Sequence, residues 1–172
     1  MQNKYDFKPL TEVYFEILFK WLQTPHVLKW WDSDDGWEQF SHRHVQMIKD
    51  PLVFPHIVFK DDTPIGYINY WFVEEDPDFK PLFPANTVGT DQFIGVPSLL
   101  GKGIGSEFVR QFTDELLSKS DIGLVITDPD SRNSAAIRAY EKAGFKKTRL
   151  MNTSEGEIQL LEKCLTDHSQ IK

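Results

Sequence analysis

The sequence has one cysteine, Cys164, in 172 residues, so no disulfide can form within a single chain. Cys164 lies in a late run typical of a strand, and we expect it to be a small buried apolar side chain. Long apolar runs are also missing. No segment approaches the length of a membrane-spanning helix, and the opening MQNKYDFKPL lacks the continuous apolar stretch of a signal peptide. We therefore expect a cytoplasmic protein without a membrane partner.

Basic residues are scarce as well. The chain carries 19 Lys and Arg against 26 Asp and Glu, a formal net charge of −7, and its sequence pI is ≈ 5.2. A negative protein repels nucleic-acid phosphates and attracts cations, so the composition disfavours a nucleic-acid partner and suits a cationic ligand. The five histidines show no spacing typical of zinc ligands, and we predict no metal site.

Nothing in the sequence separates it into parts: it has no internal repeat, no low-complexity tract and no Ser/Gly linker. A composition of 40% hydrophobic and 26% charged residues is ordinary for a soluble globular protein. A chain of this length suits one folding unit. We therefore predict a single domain over residues 1–172.

The hydrophobic pattern predicts helices and strands in a definite order. A short strand at 5–10 is followed by a helix at 11–22, an irregular aromatic segment at 25–31, and a second helix that runs from a capping box at Asp35 and Glu38 to about residue 48. After it come three strands at 56–60, 65–73 and 87–96, then a helix, a strand at 122–127 and a last helix at 133–143. Two strands at 145–150 and 157–165 follow. This order predicts an α+β fold with a mixed central sheet.

A glycine cluster, Gly101, Gly103 and Gly105, stands between the strand at 87–96 and the next helix. Such a turn suits a pyrophosphate because glycine allows close backbone approach, the first amides of a helix have no intrahelical acceptor, and the helix dipole favours an anion. A Walker A loop is excluded because Lys102 is followed by glycine rather than Ser or Thr, and the Rossmann glycine spacing is absent. A glycine-rich turn without a ligand is the alternative.

The segment Leu100-Gly-Lys-Gly-Ile-Gly105 resembles the pyrophosphate loop of the GNAT superfamily of N-acetyltransferases. Asn133 and the run Ala136-Ile-Arg-Ala-Tyr-Glu-Lys-Ala-Gly-Phe145 are similar to the next helix of that superfamily. The sequence departs from the usual loop at Leu100, where a polar residue is common, so one side-chain contact is in doubt while the backbone amides are retained.

Within the superfamily the sequence resembles the aminoglycoside 6′-N-acetyltransferases. The features that carry this resemblance occur in family order and span almost the whole chain: Trp30-Trp31, Pro64-Ile-Gly-Tyr67, Thr90-Asp-Gln-Phe-Ile94, Thr127-Asp-Pro129 and Arg138-Ala-Tyr-Glu-Lys-Ala-Gly-Phe145. Siderophore-pathway lysine N-acyltransferases share part of this pattern.

The resemblance implies the GNAT fold, in which a mixed, mostly antiparallel sheet is flanked by helices and splayed open between its fourth and fifth strands. It implies acetyl-CoA as co-substrate in that cleft. The residues implied to bind it are Phe93, Ile94, Gly95 and Val96 along the pantetheine arm, Gly101, Lys102, Gly103, Ile104 and Gly105 around the pyrophosphate, and Asn133 and Tyr140 nearby.

The resemblance also implies roles around the substrate. Asp91 matches the carboxylate that orients the substrate ammonium and accepts its proton, Asp128 a carboxylate that binds other amines, and Tyr140 the acid that protonates the departing thiolate. Trp30 and Trp31 match an aromatic wall over a sugar ring. The acidic loop with Glu74 and Glu75 adds attraction for a polycation.

These residues predict direct acetyl transfer to the 6′-amine of an aminoglycoside, without a covalent intermediate. Two alternatives stay open at this point. One is the same chemistry on a siderophore intermediate, a polyamine or a protein N-terminus, and the other is a non-catalytic module that binds acyl-CoA. The choice between monomer and dimer, and the choice among aminoglycosides, are left open.

Overall fold

A computed structural model describes residues 4–31, 35–119 and 121–165. The chain forms seven strands and five α-helices in these parts, with three short 3₁₀ turns between them. In chain order they are β1 (Asp6–Pro9), α1 (Phe15–Leu22), α2 (Pro25–Leu28), α3 (Trp37–Met47), β2 (Val53–Lys60), β3 (Thr63–Phe72), β4 (Thr87–Ile94), α4 (Ile104–Leu117), β5 (Leu124–Thr127), α5 (Ser134–Lys142), β6 (Lys146–Thr153) and β7 (Gly156–Lys163).

The strands form one sheet in the order β1-β2-β3-β4-β5-β7-β6. Every neighbouring pair is antiparallel except β4 and β5. Those two pair in parallel only from Thr87 to Gly89, opposite Leu124 to Ile126, although β4 continues to Ile94. The strands therefore separate beyond Gly89, which confirms the predicted mixed, mostly antiparallel sheet that opens between its fourth and fifth strands.

Helices cover both faces of this sheet. The apolar stripe of α4 is buried on one face and consists of Ile104, Phe108, Val109, Phe112, Leu116 and Leu117. Helices α1 to α3 pack on the other face around Leu18, Phe40, Tyr67 and Phe93. Side chains alternate between faces along a strand, so Asp91, two residues before Phe93, points to the α1–α3 side. No helix in the described parts of the chain combines the length and the apolarity that a membrane span requires.

Three local predictions in the first half are corrected. The helix predicted at 11–22 begins as a 3₁₀ turn at Glu12–Tyr14 before α1. The segment predicted as irregular opens with α2, a single turn that Pro25 begins at its first position, where the missing N–H costs nothing. The capping box does not form, because α3 begins after Gly36 without a side-chain cap and Asp35 pairs with Arg43 at 2.5 Å.

The expectation of a buried Cys164 is wrong. Strand β7 ends at Lys163, so the cysteine lies past the last ladder contact and its side chain is exposed. The alternation of the strand places the neighbouring Lys163 inside instead. Apolar letters at the end of a strand do not show where the pairing stops.

Candidate active site

The separation of β4 from β5 opens a cavity of about 600 Å³. Its wall is built from β4, the end of β5, the start and middle of α5, the tryptophan pair and the β6–β7 turn. The structure brings together six of the residues that the sequence singled out, and they line this cavity: Trp30, Trp31, Asp91, Asp128, Asn133 and Tyr140.

A second cavity of about 220 Å³ adjoins the first and is strongly acidic. Asp91, Asp128 and Glu155 line both cavities, and Asp76 and Asp78 line the smaller one. The carboxylates of Asp91 and Asp128 thus lie where the two spaces meet. A molecule with several positive charges fits this surface, because each bound cation relieves the repulsion among the carboxylates.

Asp91 is partly buried on β4 and is held from β3. Its Oδ2 accepts a hydrogen bond from Trp71 Nε1 at 3.2 Å, and its backbone N–H donates to Asn69 Oδ1 at 2.9 Å. Burial raises the pKa of Asp91 above its ordinary value, the contacts with Trp71 and Asn69 oppose that rise, and the charge of Glu155 adds to it. Such a carboxylate is poised to take up a proton near neutral pH.

Asp128 follows the last residue of β5, Thr127. Burial is the first cause that raises the pKa of Asp128, and the charges of Asp91, Glu155 and Asp76 raise it further. Two carboxylates in one site cannot both stay ionised easily unless a cation lies between them. The pair can therefore bind an ammonium ion and also accept its proton.

Tyr140 reaches the cavity from α5 and is only 4% exposed. Burial and the charge of Asp91 raise the pKa of Tyr140, while hydrogen bonds with Thr127 and Gln92 oppose that rise. The phenol stays protonated at neutral pH and is available as a proton donor. Gln92 also lines this cavity, and its Oε1 is buried without a hydrogen-bond partner among the described residues.

The two tryptophans have different surroundings: Trp31 packs against other aromatic rings, and Trp30 is partly exposed. The Trp31 ring packs edge-on against Phe93 and Tyr67, with ring centroids 5.0 and 5.8 Å apart. Trp30 is 36% exposed, and Lys29 Nζ lies 4.9 Å from its ring centroid. A cation already rests on this indole, and both rings line the cavity.

The glycine turn lies open at the N-terminus of α4. Gly101 and Gly103 have φ of 72° and 78°, and Gly103 precedes the first turn of the helix with no side-chain cap. A Cβ built on either glycine meets no atom within 4 Å. The turn therefore leaves open space before a 14-residue helix without a side-chain cap, and the first amides of a helix have no intrahelical acceptor, which is the arrangement that binds an anion.

The other residues predicted to bind the cofactor lie along β4 and at α5. The Gly95 N–H donates to Ile65 O at 2.9 Å, so this end of β4 still pairs with β3. His26 Nε2 lies 2.8 Å from Ile94 O. Asn133 is the N-cap of α5, and its Oδ1 accepts a hydrogen bond from the Ala136 N–H at 3.1 Å.

Glu74 and Glu75 are not among the residues that line either cavity, and Glu75 lies 3.9 Å from Lys80. The acidic loop contributes Asp76 and Asp78 instead. Asp78 Oδ2 accepts hydrogen bonds at 3.0 Å from both the backbone N–H and the hydroxyl of Ser154, which ties this loop to the β6–β7 turn.

Sequence reasoning missed Glu155 and Trp71. Glu155 stood in the sequence as part of a turn, and an acidic residue at a hairpin tip is usually just solvated. Trp71 stood within a strand and looked like a core residue. Nothing in the spacing of either residue signals a neighbour that is distant in sequence, so only the folded sheet reveals that Trp71 donates to Asp91 and that Glu155 lines the same cavities.

The open sheet, the glycine turn and the carboxylates in the cleft define an acetyltransferase of the GNAT type, and the comparison with known families agrees. Residues 12–153 match the GNAT acetyltransferase domain, so this chain belongs to that family. The resemblance drawn from the sequence is thereby confirmed. The described residues contain no group of three or more His, Cys, Asp or Glu arranged to hold a metal ion.

Individual relatives indicate which acetyltransferases of this family the chain is similar to. The aminoglycoside N(6′)-acetyltransferase type 1 of Klebsiella pneumoniae is 30% identical over 161 residues, which cover 86% of this chain and 76% of that protein. The solved structure of aminoglycoside acetyltransferase AAC(6′)-Ib in complex with coenzyme A has a TM-score of 0.88 and 26% identity, with 93% of this chain and 94% of that one covered. Its complex with coenzyme A and kanamycin has a TM-score of 0.87, the same identity and the same coverage.

Proposed function

We propose that this protein transfers the acetyl group of acetyl-CoA to the 6′-amine of an aminoglycoside. The observation that carries the proposal is that Asp91 and Asp128 both line the cleft that opens between β4 and β5. The relatives named above support the choice of substrate, because they are aminoglycoside 6′-acetyltransferases. The acidic balance of the chain also suits a polycationic antibiotic.

The co-substrate has a fitting place along the cleft. Acetyl-CoA supplies an activated thioester, which an amine can attack directly. The exposed glycine turn suits the pyrophosphate through the backbone amides of Gly101, Lys102, Gly103, Ile104 and Gly105. The pantetheine arm is assigned to the backbone from Phe93 to Val96, and Asn133 and Tyr140 complete the proposed cofactor side.

Proton transfer at the amine is the step that the chain's carboxylates perform. An ammonium ion has no free electron pair, so Asp91 first binds the cation and then accepts one proton from it. Asp128 holds further positive charge of the substrate, with Glu155 beside it. Trp30 and Trp31 form the wall against which a sugar ring packs.

Acetyl transfer then follows without a covalent enzyme intermediate. The amine nitrogen forms a bond to the carbonyl carbon, the carbon–sulfur bond breaks, and the thiolate leaves with the electron pair. Tyr140 supplies a proton to the departing sulfur. A thiol of pKa about 8.5 is a fair leaving group at neutral pH, so this proton contributes less than the orientation of the amine.

The direct test is release of free CoA thiol from acetyl-CoA by the purified protein. The amines are kanamycin and tobramycin, with a diamine and a lysine-like amine as the comparison set. We expect rapid release with the aminoglycosides, a 6′-acetylated product by mass spectrometry and NMR, and raised aminoglycoside tolerance in a sensitive bacterium. Release with the simple amines alone would reject the substrate class, and release with none would reject the enzyme.

Replacing Gly103 by Ala should raise KM for acetyl-CoA. A Cβ at φ of 78° adds strain of about 1–2 kcal/mol in the free turn, and relief of that strain turns the amides away from the anion. We expect an increase on the order of tenfold in KM, with kcat nearly unchanged. Gly36→Ala is the matched control, since that glycine precedes α3 at φ of −69° in open space. Equal KM values in both variants would contradict the role of the turn.

Turnover should rise with pH through neutrality. Because burial raises the pKa of both Asp91 and Asp128, protonation at lower pH removes the proton acceptor and the cation site together. We expect kcat/KM for the amine, measured at saturating acetyl-CoA, to fall as pH drops from about 8 to 5. A flat profile over that interval would contradict a carboxylate with a raised pKa at this site.

The free energy of unfolding should fall as pH rises, whereas kcat/KM should increase with pH. A carboxyl whose folded pKa lies above its unfolded value binds more protons when folded, so the free energy of unfolding falls as pH rises through that pKa. Asp128→Asn removes the charge and should melt at a higher temperature than the wild type at neutral pH. A lower melting temperature at neutral pH would show that the charged form of Asp128 is already compensated in the free protein.

A further inference from the structure

Gly89 and Trp71 face each other across β4 and β3. A Cβ built on Gly89 would overlap the Trp71 indole at Cε2, Cζ2 and Nε1. The indole therefore lies directly on the backbone of β4, in a space that any other residue at position 89 would fill. Gly89 is also the last residue of β4 that pairs with β5, so the indole lies at the point where the sheet opens.

The same indole contacts Asp91. Its Nε1–H donates to Asp91 Oδ2 at 3.2 Å, two residues beyond Gly89 on the same strand and the same face. The Phe79 ring packs on the indole, with centroids 5.8 Å apart and an interplanar angle of 46°. The ring thus has a backbone contact at Gly89, an aromatic neighbour in Phe79 and a polar contact with Asp91, and these fix the direction of its N–H.

We propose that Gly89 and Trp71 act as one positioning unit for the acceptor carboxylate: the missing side chain at Gly89 admits the indole, and the indole N–H orients Asp91 and keeps it ionised. This inference rests on the proposed function, since it deepens the role given there to Asp91. Neither residue touches the reacting atoms. Both act through the carboxylate that does.

The surroundings of Asp91 show why such a donor is needed. Asp91 shares its two cavities with acidic side chains from three segments: Asp76 and Asp78 in the loop after β3, Asp128 and Asp130 after β5, and Glu155 and Glu157 in the β6–β7 turn and at the start of β7. The phenols of Tyr67 and Tyr140 also face it, and burial and the charge of Asp91 raise the pKa of both. Burial and the charge of Glu155 raise the pKa of Asp91, and the N–H of Trp71 is the first of the contacts that hold it down.

Loss of the indole donor should therefore impair the base without removing it. Trp71→Phe keeps an aromatic ring and deletes the N–H, and Gly89→Ala keeps the N–H but displaces the ring. We expect each variant to lower kcat/KM for the aminoglycoside about tenfold at neutral pH, and to move the acidic limb of the pH profile upward by about one pH unit.

The double variant tests most directly whether Gly89 and Trp71 act together. If the two residues act as one unit, Trp71→Phe combined with Gly89→Ala should be no worse than either single variant, because the same contact is lost each time. If the losses in kcat/KM of the two single variants multiply in the double variant, the two residues act independently and the coupling is overturned. Trp37→Phe, which changes an exposed indole on α3, is the control and should keep the wild-type profile.

A readout independent of turnover separates this inference from the proposed function. NMR titration of the Asp91 side-chain carboxyl carbon should give a higher pKa in Trp71→Phe than in the wild type, whether or not any amine is acetylated. An unchanged pKa would overturn the inference even in an active enzyme. Acetyl-CoA affinity and the melting temperature report folding, and if Gly89→Ala does not fold, the Trp71→Phe titration decides alone.

Discussion

Asp91→Asn is expected to lower kcat/KM for the aminoglycoside by roughly 10²–10⁴, the range for loss of a general base. The amide has the shape of the carboxylate, but it has no negative charge to bind an ammonium ion and no basicity to accept its proton. The contact with Trp71 Nε1 can persist through the amide oxygen, so the fold around β4 is retained. Acetyl-CoA affinity should stay unchanged, because the residues of the glycine turn line neither of the cavities that Asp91 lines. Steady-state kinetics with CoA-thiol detection and calorimetry with acetyl-CoA measure the two quantities.

The matched control for this charge removal is Asp62→Asn. Asp62 lies in the β2–β3 turn at φ of 58°, where asparagine is equally well tolerated, and it is exposed. It should leave kcat/KM as in the wild type. Asp91→Asn with wild-type kcat/KM would remove the proposed proton acceptor from the mechanism. A loss confined to acetyl-CoA binding would place Asp91 on the cofactor side instead.

Lys163→Met is expected to lower the free energy of unfolding by about 1–3 kcal/mol, because it removes the donor from buried hydrogen bonds to Thr113 Oγ1 and Ala143 O. The Lys163 ammonium group is a hub between β7 and two helices. Its Nζ donates to Thr113 Oγ1 at 2.7 Å and to Ala143 O at 3.0 Å, and it lies 2.7 Å from Asp114 Oδ1. Methionine fills a similar volume but leaves the Ala143 carbonyl without its donor. Urea unfolding at neutral pH, followed by circular dichroism, measures the change.

Lys147→Met is the matched control for this stability effect. Lys147 Nζ lies 3.2 Å from Glu141 Oε1, and both side chains are substantially exposed. An exposed ion pair of this kind contributes at most about 1 kcal/mol, so the control should unfold close to the wild type. Similar losses in both variants would show that the hub of Lys163 contributes no more than a surface pair. Turnover per folded molecule should be unchanged in Lys147→Met, because that pair is outside both cavities.

The elements that sequence reasoning predicted well share one property: their apolar positions follow a single period over many residues. The stripe of α4 repeats at helical spacing for four turns, and all of its members are buried. The hairpin of β2 and β3 is marked by two apolar runs around Asp61 and Asp62, which adopt positive φ in the turn. Short or terminal features carry fewer residues and were predicted less well, as α2 and Cys164 show.

The residues of the candidate site likewise fall into those that local sequence motifs predicted and those that they did not. Residues in compact motifs, such as Asp91 next to Gln92 and Phe93, were visible in the sequence because local neighbours define the motif. Glu155 and Trp71 reach the same carboxylates from a hairpin tip and a neighbouring strand. Their proximity follows from strand register and from a loop held by Asp78 and Ser154, and neither can be read from spacing along the chain.

The sequence by itself determined the GNAT family, the order of the strands and of the longer helices, the glycine turn at Gly101 to Gly105 and the choice of the carboxylates at positions 91 and 128. Periodicity and local motifs are written along the chain, so they need no tertiary information. The tertiary structure decided which side chains surround those carboxylates, that Asp76, Asp78 and Glu155 form the acidic wall instead of Glu74 and Glu75, and that the Trp71 indole packs on Gly89. These are contacts between segments distant in sequence, and only the packed sheet brings such segments to hydrogen-bond distance.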